Sequence, residues 1–105
     1  MAIVTTFNGH FGRYYLHTLT SAPTSIPAAS LKGFSGKQVT RAVGRVEGAS
    51  AMMGVNGILS PSATVGFLLE EKDVIVIEGH DNIKNALFIL VSGSPTIKWI
   101  LTTTD

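Results

Sequence analysis

Few residues in this chain have the type and spacing that chemistry needs. Gly33–Lys37 reads GFSGK, a glycine-lysine cluster of the sort that cradles phosphate on backbone N–H groups. The full pattern G-x-x-x-x-G-K-[ST] fails, because Leu31 stands where the first Gly belongs and Gln38 where the Ser/Thr belongs. His10, His17 and His80 are potential metal ligands, yet His10 and His17 have no Asp or Glu near them in sequence. His80-Asp81 resembles half of a catalytic dyad, but no activated Ser or Cys is identifiable as its partner. Glu70 and Glu71 would point in opposite directions in an extended chain, so they make no acid/base pair. The residues therefore predict a protein that is not an enzyme and holds neither metal nor cofactor.

Two groups suit contact rather than catalysis. Phe11, Tyr14 and Tyr15 could stack on sugar rings, as a host-surface glycan-binding sandwich would require, although packing is the commoner use of such aromatics. Arg41 and Arg45 could meet the phosphates of a small nucleotide sequestered at a subunit interface.

The charges behind these groups are unevenly placed. Up to residue 46 the chain carries Arg13, Lys32, Lys37, Arg41 and Arg45 and no acid; from Glu47 onward three lysines face seven acids. Either the two halves lie side by side in one sheet system, or a basic surface of one copy meets an acidic surface of the next. Five cations spread without interleaved aromatics make a poor phosphate track, so nucleic acid is not an expected partner. Of 105 residues only 14% are charged, against about 25% in an average soluble domain. So few charges cannot coat a whole surface; small polar residues, or another chain, must cover the rest. There is no cysteine to form a disulfide. MAIVTTFNGHFG lacks the basic start and apolar run of a signal peptide, and no stretch reaches the ~18 apolar residues of a membrane helix.

The elements that must carry these side chains read as β. Ala2–Phe7 is short and β-prone before the turn-like Asn8-Gly9, and Arg13–Thr20 is a strand of aromatic and β-branched residues. Ser21–Lys37, with Pro23, Pro27, Gly33 and Gly36 among Ser and Ala, predicts an extended, loop-like arm. Gln38–Glu47 is a strand, with Val39, Arg41, Val43 and Arg45 on one face. Ser50–Val55 and Ile58–Ser60 flank Asn56-Gly57, a hairpin signal. Ala63–Leu69 is a further strand, Glu70–Asp73 a charged turn, and Asp81–Asn85 one helical turn capped by Asp81. Val74–Ile77, Ala86–Val91 and Thr96–Thr102 complete seven or eight short strands. The expected fold is all-β, a single domain spanning 1–105, built as a small β-sandwich or barrel of jelly-roll type.

The last three strands are apolar on both faces, whereas a sandwich buries only one. Leaving Leu, Ile or Phe in water forfeits about 1.5–3 kcal/mol each, so the second faces call for another subunit or for cover by the Ser21–Lys37 arm. Trp99, with Ile97 and Leu101, is expected to face the core. Ile100, with Ala86 or Leu87 nearby, is expected to face the subunit interface of a trimer or larger ring.

The run EEKDVIVIEGHDNIKNALFILVSGSPTIKWILT adds a resemblance. A polar turn leads into an apolar strand ending in Glu78-Gly79. Asn82–Asn85 (Asn-Ile-Lys-Asn) follows, then an apolar strand, a Gly-containing turn and a last strand. This third of the chain resembles the C-terminal portion of small structural proteins of tailed bacteriophages; residues 1–60 carry no such likeness. The resemblance implies a β-rich, oligomeric, non-enzymatic virion component, with capsid decoration favoured over a head or tail accessory role. It also implies capsid or other virion proteins as partners, and a virion location after synthesis in the host cytoplasm.

Overall fold

Runs rich in Val, Ile, Leu and aromatic residues, punctuated by Gly and Pro, form two antiparallel sheets over one core. The structure, a computed structural model, describes residues 10–32, 38–55, 61–62 and 64–103. Its strands are β1 (His10–Thr18), β2 (Val39–Glu47), β3 (Ala51–Val55), β4 (Phe67–Leu69), β5 (Val74–Glu78), β6 (Ala86–Leu90) and β7 (Thr96–Thr103). One helical turn, α1 (His80–Asn85), links β5 to β6, and a 3-10 turn spans Ala28–Leu31. Sheet A has the order β1-β7-β2-β5 and sheet B the order β4-β3-β6. The fold is thus all-β, a small four-plus-three sandwich. A jelly roll needs eight strands in two Greek keys, which goes beyond the described strands. Ala2–Phe7, GFSGK and the Asn56-Gly57 hairpin lie outside the described residues.

Trp99 anchors the core. It is fully buried on β7 between Ile97 and Leu101, and its ring meets Phe88 of sheet B edge-on at 5.5 Å. Gly44 on β2 makes room for it: a Cβ there would stand 2.6 Å from the indole Cε3. Ala42, Val46, Ile75, Ala86 and Ile83 close the rest of the layer.

Four expectations change. The Ser21–Lys37 arm is packed rather than loose over its described part, residues 21–32. Ile26 and Leu31 are buried in the core, and Thr24 bridges to Phe88 through hydrogen bonds of 2.9 and 2.8 Å. Ile26, between Pro23 and Pro27, and Leu31, beyond them, drive that docking. Val39 leaves the Arg41 face, because the register shifts between Val39 and Arg41 and turns Val39 into the core. Of the strand expected over Ala63–Leu69, Ala63 lies outside the described residues and the described part is a strand only over Phe67–Leu69. The Ser62 hydroxyl accepts the N–H groups of Thr64 (3.3 Å) and Val65 (3.1 Å), and this local turn displaces strand pairing. Asp81 does not cap α1; Gly79 holds that place at φ 94°, while the Asn82 amide donates to the Glu78 carbonyl at 3.0 Å.

Candidate functional site

Period-two alternation decides which side chains sheet A shows to solvent. Buried alternates (Leu101, Trp99 and Ile97 on β7; Ala42, Gly44 and Val46 on β2) face sheet B, so their neighbours face out. The ladders align those neighbours across all four strands. Tyr14 pairs with Ile100, Ile100 with Val43, and Val43 with Val76. This is a single apolar row. Tyr14 is 61% exposed, Ile100 41% and Val76 50%. The adjacent row is Leu16, Lys98, Arg45 and Val74, with Leu16 and Val74 also exposed.

Charges border the row on both sides. Arg41 Nε lies 3.3 Å from Glu78 Oε1, joining the basic first half of the chain to its acidic second half within one sheet. Lys98 Nζ lies 2.7 Å from Glu47 Oε2. That hydrogen bond lowers the Glu47 carboxyl below its usual pKa and raises the Lys98 ammonium above its own, so both stay charged near neutrality.

Of the two β7 residues expected on opposite faces, Trp99 is buried in the core and Ile100 is exposed on the outer face of sheet A. Ala86 does not reach an interface: it is buried inside the sandwich, because it shares the inward face of β6 with Phe88. Leu87, half-buried, lies on the opposite face of sheet B, so it does not share a surface with Ile100. The second face of β6 is partly closed within the chain. Ile89 pairs with Met52, and both are buried. The residues that complete the exposed row, Val43 and Val76, escaped the sequence reading. Their signal was the apolar residue between Arg41 and Arg45 and the unbroken apolar run of β5.

The contact residues divide. Tyr14 faces solvent, whereas Tyr15 turns inward against His17, with ring centroids 5.6 Å apart. Tyr14 and Tyr15 therefore form no common stacking platform, and the Phe11 side chain lies outside the described residues. Arg41 and Arg45 share the outer face of β2 with Val43 between them, and Arg41 is engaged by Glu78.

His17 and His80 occupy structural positions, and the His10 side chain lies outside the described residues. His17 is buried between Tyr15 and Phe88, and its Nε2 shares a 2.8 Å hydrogen bond with the Thr24 hydroxyl. Burial lowers its pKa to about 4, so it is neutral at physiological pH. His80 Nδ1–H donates to the Val39 carbonyl at 3.1 Å. Among the described residues no group of three or more His, Asp and Glu side chains could hold a metal ion, and no helix is long and apolar enough to cross a membrane. Comparison with known protein families, curated proteins and solved structures finds no match for this chain.

Proposed function

We propose that the chain is a non-enzymatic structural protein that acts by adhesion, self-associating on a virion surface in the manner of a tailed-phage capsid decoration protein. The observation that carries this reading is the apolar row Tyr14–Ile100–Val43–Val76 on the outer face of sheet A. Contiguous exposed apolar surface of this kind marks an association site more often than a free one. Each exposed member is already about half covered, so completing its burial is worth about 1 kcal/mol per side chain. The bordering ion pairs would then supply orientation more than affinity. The likeness of the C-terminal third to phage structural proteins supplies the virion setting.

Ile100→Asp tests the reading at the centre of the row. The variant should keep the wild-type circular dichroism spectrum, because residue 100 faces away from the core, and should form smaller assemblies than the wild type, because an unpaired carboxylate resists desolvation. Unchanged assembly of Ile100→Asp would remove this face from the mechanism.

A further inference from the structure

The geometry points to a specific partner for the edge of sheet A: β5 of a second copy, joined antiparallel about Val76 to make one eight-stranded sheet. This rests on the self-association proposed above and says where it begins.

Hydrogen-bonded and non-hydrogen-bonded pairs alternate along an antiparallel ladder. At the two ends of the β2–β5 ladder, Gly79 N–H donates to the Thr40 carbonyl at 2.8 Å and Val46 N–H to the Asp73 carbonyl at 3.0 Å. The register between them matches Ala42 to Ile77 and Gly44 to Ile75. The odd-numbered residues of β5 therefore bond inward to β2. Val74, Val76 and Glu78 send their N–H and C=O groups outward from the edge. Among the described residues these groups have one partner, the Asn82 amide on the Glu78 carbonyl, which leaves that oxygen a second lone pair.

This outward set matches itself under a two-fold rotation. With Val76 opposite Val76 of the partner subunit, Val74 falls opposite the partner subunit's Glu78, and Glu78 opposite the partner subunit's Val74. All three pairs are of the hydrogen-bonded kind. The apolar rows of the two copies then run on through Val76, doubling the exposed stripe. Charge agrees as well: the partner's Glu78 arrives beside Val74, in the row that carries Arg45 and Lys98.

The other described edges carry devices that discourage pairing. β4 has only three residues, Thr24 bridges to the outer side of β6, and β1 has a register shift between Phe11 and Arg13. β5 is five residues, VIVIE, in unbroken register, without Pro or Lys. A two-fold contact closes on itself. The building unit is then a dimer, and assemblies are even-numbered where the sequence reading expected a trimer or larger ring.

Because the chain has no cysteine, single thiols report the register directly. In the paired sheet the two Cα atoms of residue 76 stand ~5.5 Å apart, within disulfide range, whereas the two of residue 74 are ~14 Å apart. Under mild oxidation of the assembled protein, Val76→Cys should form disulfide-linked dimers at least about tenfold faster than Val74→Cys or Leu16→Cys. Equal or faster linkage through residue 74 or 16 in an oligomeric protein would overturn the β5 assignment and leave self-association standing. A wild-type protein that stays monomeric would remove both.

Discussion

Gly44→Ala probes the contact on which the core depends. A methyl group at residue 44 would lie 2.6 and 2.7 Å from Cε3 and Cζ3 of Trp99 and 2.8 Å from Ile97 Cγ2. Comfortable carbon contacts begin near ~3.5 Å, so the indole would have to retreat by almost an ångström. It has nowhere to go, since Phe88 packs across it at 5.5 Å and the ring is fully buried. Overpacking of this type costs about 1–3 kcal/mol, while replacing Gly by Ala in a strand returns about 0.5–1 kcal/mol of chain entropy. The net expectation is a loss of about 1–2 kcal/mol, which lowers the melting temperature by roughly 5–15 °C in a domain this size. Thermal unfolding followed by far-ultraviolet circular dichroism measures it. In a Trp99→Leu background, which removes the ring, Gly44→Ala should become neutral or stabilising. Strictly additive effects of the two substitutions would refute the contact as the cause.

Trp99→Ala should cost about 3–5 kcal/mol and leave the chain unfolded or barely folded by circular dichroism, because no neighbouring side chain can fill the volume. The His17 pKa is lowered from 6.5 to about 4 by burial, so the folded state binds its proton less readily than the unfolded state. Stability from this residue is complete above pH 6.5 and falls as pH drops toward 4, by about 3 kcal/mol across that window. Denaturant titrations of the wild type and of His17→Gln should show the variant flatter there; parallel profiles would assign the acid sensitivity elsewhere. Lys72 holds φ at 75° in the turn before β5, a region that favours glycine. Lys72→Gly should therefore raise stability by about 0.5–1 kcal/mol in the same titrations.

The strands were legible because apolar and β-branched residues alternate or run continuously between Gly, Pro and Asn turns. The placement of Trp99 and Ile100 on opposite faces followed from period two alone. Which second faces remain open was not legible, since that depends on strand order. Ala86 was expected at an interface and Val76 was not, yet Ala86 lies on the inward face of β6 with Phe88, while Val76 lies on the outer face of β5, an edge of sheet A. The bulge that turned Val39 inward has no side-chain signature of its own. The docking of Ile26 and Leu31 was hidden by prolines that suggest a loose arm, although two well-spaced apolar side chains suffice to hold an irregular segment against a core.

Molar mass in solution bears most directly on the claim that the outer face of sheet A is adhesive. Light scattering on the purified wild-type protein at tens of micromolar should give a closed, even-numbered multiple of the chain mass, and Ile100→Asp should reduce it without loss of β-sheet signal. A wild-type protein that is strictly monomeric at that concentration would contradict the claim.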